Sequence, residues 1–103
     1  MSMTEAYLTA EVRRLVGRYQ LIGYHVPDSR RATAAGFPDW VIVGPGGVLW
    51  RELKSPYGSL SSGQTQWRYA LAAAGQDWGI WRPLDLESGI IAQELQALAR
   101  PNG

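Results

Sequence analysis

The stretch at residues 36–54, GFPDWVIVGPGGVLWRELK, constrains this chain more than any other. Two apolar runs flank the GPGG at 44–47, which reads as two short strands joined by a glycine-rich turn. Pro38 has a fixed φ and no N–H, so it suits a strand entrance. Strand side chains alternate between faces, so Glu52 and Lys54 share a face and Leu53 points the other way. If the strands pair as a hairpin, Asp39 at the start of the first lies beside Glu52 and Lys54 at the end of the second. Two carboxylates and an amine on one sheet face are costly unless something uses them. A divalent cation is the expected user.

The surrounding sequence supplies a frame for this hairpin. Residues 4–19 read as an amphipathic helix with Thr4 as its N-cap and Leu8, Val12, Leu15, Val16 and Tyr19 as its buried stripe. LIGYHV at 21–26 is a first strand, residues 39–43 and 48–54 are the hairpin strands, and residues 64–75 form a second helix stopped by Gly75. Residues 78–82 are a fourth strand, ended by Pro83, and a final helix runs from about Asp85 to Ala99. The first three strands are expected to form an antiparallel meander, with the second helix as the crossover to the fourth. The fold class is therefore α/β, order α-β-β-β-α-β plus a C-terminal helix, a mixed sheet flanked by helices.

A chain of 103 residues, 46% hydrophobic and with five Trp, is expected to form a single domain over 1–103 with its own core. No apolar run approaches 18 residues, so no membrane span is expected, and no basic-then-apolar segment suggests a signal peptide. Zero cysteines exclude disulfides and thiolate metal sites. No GxGxxG or Lys-Ser/Thr follows the glycine-rich turn, which excludes a nucleotide-binding loop. His25 is the only histidine, and a half-buried strand residue is its simplest reading.

Carboxylate oxygens at Asp39 and Glu52 suit a hard cation such as Mg²⁺, with the Leu53 carbonyl as a further ligand. Such a cation can orient a water, lower its pKa and neutralise phosphate charge, while an amine beside it stabilises the charge that develops. This is equipment for phosphodiester hydrolysis. A lone E-x-K is common, but P-D followed a dozen residues later by E-x-K, both on apolar strands, is more specific.

PD at 38–39 with ELK at 52–54 resembles the PD-(D/E)XK nuclease superfamily. More narrowly, GFPD (36–39), ELK (52–54) and Gln64-x-x-Trp67 in a helix ending at Gly75 resemble the VRR-NUC family, stand-alone bacterial and phage type. The resemblance implies a restriction-endonuclease-like core and a Mg²⁺- or Mn²⁺-dependent DNA endonuclease, structure-selective and similar to Holliday-junction resolvases. It implies metal ligation by Asp39, Glu52 and the Leu53 carbonyl, Lys54 as the catalytic lysine, and Gln64 near the reacting phosphate. It also implies a homodimer acting on DNA in the cytoplasm of a bacterial or phage-infected cell.

The family's helix-1 acid matches Glu5 better than Glu11. At about 100° per residue, Glu5 falls within about 20° of Val12, inside the stripe, whereas Glu11 falls about 100° away. Fraying of the first turn is the alternative for Glu5, where an acid also suits the helix dipole. Nine of the ten basic residues are Arg, the usual bidentate phosphate ligand, and Arg30, Arg31, Arg51 and Arg68 are the candidate DNA contacts. Two other readings stay open: a non-catalytic DNA-binding module, and an interaction or inhibitor protein on the same fold.

Overall fold

The computed structural model describes residues 4–27 and 33–101. Helix α1 spans Glu5–Arg18, and the Thr4 hydroxyl accepts the Tyr7 N–H at 3.0 Å, as its N-cap position requires. Strands β1 (Ile22–His25), β2 (Trp40–Gly44) and β3 (Gly47–Leu53) follow, then α2 (Ser62–Ala73), β4 (Asp77–Trp81), α3 (Pro83–Glu87) and α4 (Ile90–Leu98). The sheet order is β1-β2-β3-β4. The first two pairings are antiparallel and β3–β4 is parallel, with α2 as the crossover. The meander, the crossover and the mixed sheet expected from the sequence are all present.

The expected C-terminal helix is two helices. Pro83 starts α3, and Gly89, at φ +85°, breaks the helix before α4. A left-handed residue cannot continue an α-helix, and glycine adopts that conformation without steric cost.

The core lies on one face of the sheet. Leu8, Val12, Leu15 and Val16 of α1 pack with Ile91, Leu95 and Leu98 of α4. Beneath them lie Trp40, Ile42, Leu49, Leu53 and Trp81, which share that face by strand alternation. On the opposite face α2 packs against β4, burying Leu71, while Ile22, Tyr24 and Val43 remain exposed. Among the described residues no helix is long and apolar enough to cross a membrane.

Arg51 belongs to the core face, which corrects its reading as a DNA contact. It is 4% exposed, with its guanidinium 5.4 Å from the Trp81 ring centroid. Its Nη2 donates to Asp77 Oδ1 and Glu94 Oε1, both at 2.9 Å, and its Nε to Glu94 Oε1 at 3.1 Å. Its Nη1 donates to the carbonyls of Asp77 at 2.7 Å and Trp50 at 3.1 Å. A guanidinium has five N–H groups, and these five bonds use all of them. Arg51 ties α4 to the β3–β4 pair and has nothing left for a phosphate.

Candidate metal and catalytic site

The site forms where β2 begins and β3 ends. Trp40 pairs with Arg51, so extending that register by one residue sets Asp39 opposite Glu52 on the α2 side of the sheet. Asp39 is fixed at both ends. Its Oδ2 accepts the Leu53 N–H at 2.7 Å, and its carbonyl accepts the Val26 N–H at 2.7 Å. Pro38, immediately before it, is fully buried.

Glu52 is the unusual group. It is 3% exposed, its Oε1 accepts the Gln64 amide at 3.0 Å, and its Oε2 is buried without a hydrogen-bond partner. Burial is the main force pushing its acid up from 4.5 to about 9. The neighbouring Asp39 carboxyl and the charge of Glu5 add to this, and only Lys54 opposes it. Glu52 so placed favours its neutral form unless something positive meets it.

Gln64 reaches Glu52 because helix α2 begins with a capping box. The Ser61 hydroxyl accepts the Gln64 N–H at 3.2 Å, and the Gln64 Oε1 accepts the Ser61 N–H at 2.9 Å. With its oxygen engaged there, the amide must turn its NH₂ toward Glu52. The S-x-x-Q at 61–64 carries this signal in the sequence. What the sequence reading missed is how α2 is pressed against the strand entrance. Gly36, at φ +94°, lies so close that a Cβ there would stand 2.3 Å from the Gly63 carbonyl carbon and 2.4 Å from the Gln64 nitrogen. Phe37 then packs edge-on against Trp67 and Trp50, with centroids at 4.9 and 5.9 Å. Backbone contact and aromatic packing thus lock Asp39's strand to Gln64's helix.

Lys54 follows at the end of β3, its N–H donating to the Trp81 carbonyl at 3.0 Å. No ion pair among the described residues engages its ammonium. Glu5, at the start of α1, is exposed, yet its charge acts on Glu52. Glu11 is committed elsewhere: Tyr7 donates to its Oε1 at 3.1 Å and Arg14 to its Oε2 at 2.7 Å. Those two bonds hold its carboxyl below the ordinary value. Arg68 is exposed on α2 one turn beyond Gln64, its guanidinium 5.5 Å from the Trp78 ring centroid. Arg30 and Arg31 lie outside the described residues. His25 packs 5.2 Å from Trp40, centroid to centroid, on the core face away from Glu52.

Among the described residues no three His, Cys, Asp or Glu side chains gather into a metal cage. The protein offers two converging carboxylates, Asp39 and Glu52. That set fits a cation that keeps several waters, as Mg²⁺ does, and fits Zn²⁺ poorly. The orphaned Glu52 Oε2 is the observation that favours such an ion, because a buried carboxylate oxygen without a donor is costly until something positive meets it.

A mixed four-stranded sheet of this order, flanked by helices and with an acid pair and a lysine at the β2–β3 end, defines the α/β fold. The comparison with solved structures supports the fold. The chain is similar to a solved structure titled VRR_NUC domain protein, with a TM-score of 0.67 over 99% of this chain and 100% of that one. The two are 19% identical, so the likeness is one of fold. No protein-family profile and no curated protein matches the sequence.

Proposed function

We propose that this protein is a Mg²⁺-dependent DNA endonuclease, with Mn²⁺ as a substitute, that selects branched or junction DNA. The observation that carries this reading is the pairing of Asp39 with a buried Glu52 whose second oxygen has no partner among the described residues, beside a Lys54 ammonium that no described residue pairs with. Asp39, Glu52 and the Leu53 carbonyl are the proposed metal ligands, with Glu5 a more distant acid. A divalent cation held there supplies Lewis acidity and neutralises charge on the phosphate.

The chain's own groups do the rest. Gln64 holds Glu52 in one orientation through its 3.0 Å bond. The Leu53 N–H holds Asp39 in another. The Lys54 ammonium is the donor for the charge that develops on the phosphate, and as an amine it can take a proton from the attacking water. Arg68, one turn from Gln64, is the proposed backbone contact on the α2 side, and Arg30 and Arg31, outside the described residues, are the further proposed contacts.

A homodimer follows from the proposed substrate. With a radius of gyration of 13.3 Å, one chain is small against a four-way junction, and paired cuts need two sites at a fixed spacing. The test is a panel of single-stranded, duplex, flap and four-way-junction DNA incubated with Mg²⁺ and with chelator. Cleavage of the branched substrates is expected with Mg²⁺, and its loss with chelator, Asp39→Asn or Lys54→Ala. A folded wild-type protein that cuts none of them with Mg²⁺ or Mn²⁺ overturns the reading.

A further inference from the structure

Arg82 had no role in the sequence reading, yet it makes three contacts around the loop that leaves Lys54. Its Nη1 donates to the Ser55 carbonyl at 2.6 Å and the Gly58 carbonyl at 2.9 Å, and lies 3.5 Å from the Pro56 carbonyl. These carbonyls belong to one turn, closed by the Gly58 N–H on the Ser55 carbonyl at 3.3 Å. The turn lies against the catalytic candidate. A Cβ built on Gly58 would stand 3.5 Å from Lys54 Cδ and 2.9 Å from Ser55 Oγ, so the turn lies beside the middle of the lysine stem with room for no more than a methyl group between them.

Arg82 is itself anchored. The first turn of α3 holds its backbone, with the Arg82 N–H donating to Asp85 Oδ2 at 2.7 Å and the Asp85 N–H to the Arg82 carbonyl at 2.9 Å. The residue before it, Trp81, is fully buried and receives the Lys54 N–H. Both ends of the Lys54–Gly58 segment are therefore tied to the same short piece of chain, Lys54 through the Trp81 carbonyl and Gly58 through the Arg82 guanidinium. A lysine has four rotatable side-chain bonds, and without a neighbour its amine would sample a wide volume. With the turn beside it, fewer rotamers remain.

We propose that Arg82 is a positioning residue that sets where the Lys54 amine sits, by holding the 55–58 turn against its stem. It does not touch the reacting atoms. The cationic head stays with the backbone carbonyls, and the five-residue helix α3 serves to fix it there. The proposal rests on the reading of Lys54 as the amine of the site, and its first test does not depend on cleavage.

Lys54 is the chain's only lysine, so protein labelled with ¹³C-lysine gives one set of lysine side-chain NMR signals. In metal-free wild type the paired protons on Cδ and Cε are expected at separate shifts, because the turn beside them is fixed. In Arg82→Gln they are expected to merge and move to the position of free lysine, while amides remote from the turn stay put. Arg82→Lys keeps a cationic donor, and is expected to preserve the separated Lys54 signals beside a second lysine set.

In cleavage assays Arg82→Gln is expected to lower kcat by about 100-fold with KM nearly unchanged, the cost of a misplaced catalytic group, and Arg82→Lys to recover much of it. Lys54 signals that are unchanged in Arg82→Gln overturn the proposal, as does an Arg82→Lys protein as impaired as Arg82→Gln. If Arg82→Gln does not fold, Gly58→Ala takes its place. Its new methyl crowds Ser55 Oγ, and the Lys54 signals must move for the proposal to stand. A wild type that cuts no DNA overturns the nuclease reading, and the NMR result still decides the placement of Lys54.

Discussion

Replacing Glu52 by glutamine removes an acid that the fold holds at about 9 while keeping its shape. The glutamine Oε1 can still accept from Gln64, and its NH₂ takes the position of the orphaned Oε2 beside Asp39, so the neutral side chain is well served. Because the folded value lies above the ordinary 4.5, the stability that protonated Glu52 contributes is complete below about 4.5 and is lost as pH rises to about 9. The metal-free wild type should therefore weaken steadily across this window relative to Glu52→Gln. At about 1.4 kcal/mol per pH unit, the two diverge by about 3 kcal/mol between pH 6 and pH 8.

The whole interval from 4.5 to about 9 corresponds to a ceiling of about 6 kcal/mol, reduced by whatever relaxation lets water reach the pair. For a domain of this size, about 3 kcal/mol is a difference in Tm on the order of 12 °C or more. Thermal and urea unfolding in chelator from pH 5 to pH 9 measures it. Added Mg²⁺ should then restore the wild type at high pH, by about 2.7 kcal/mol at a hundredfold excess over Kd, and leave Glu52→Gln unchanged. Parallel wild-type and Glu52→Gln stability curves across that range in chelator would refute the reasoning, because Glu52 would then not be a buried acid awaiting a cation.

The other tests address the scaffold around the site. Gly36→Ala forces a left-handed alanine into the Gly63–Gln64 backbone, and should cost at least about 2 kcal/mol by urea unfolding; a cost under 1 kcal/mol would mean the contact is not rigid. Gln64→Ala removes one arm of the capping box and the amide that donates to Glu52 Oε1, so about 1–2 kcal/mol should be lost in denaturant melts. Arg51→Met should lower stability by about 2–3 kcal/mol, between the costs of fully buried and surface ion pairs, since Glu94 and Asp77 are partly exposed. In the folded fraction its DNA affinity and salt dependence should match wild type, and a reduced salt slope would return Arg51 to the DNA interface.

Much of the fold was legible because its signals are local. Two apolar runs in residues 36–54 announced two strands, the glycine-rich turn closed them into a hairpin, hairpin pairing set Asp39 beside the end of the second strand, and alternation put Glu52 and Lys54 on one face. The same alternation already turned Arg51 away from Glu52, so its place on the other face could have been read from parity. The helical stripe of α1 was also visible, since Leu8, Val12, Leu15 and Val16 recur at a spacing that only one face of a helix can satisfy.

Other features depend on contacts between segments far apart in the chain, and no local pattern encodes those. Glu52's burial and its unpaired oxygen arise only once α2 closes over the end of β3. The backbone approach of Gly36 to Gly63 joins residues 27 positions apart, and the grip of Arg82 on the 55–58 turn joins the end of β4 to the end of β3. The partners of the helix-1 acids are likewise tertiary facts: Tyr7 and Arg14 occupy Glu11, and the charge of Glu5 reaches Glu52. The sequence by itself determined which groups share a strand face, because backbone geometry dictates that. Tertiary structure alone decided which of them lose water and which find partners, because desolvation depends on every segment that packs around them.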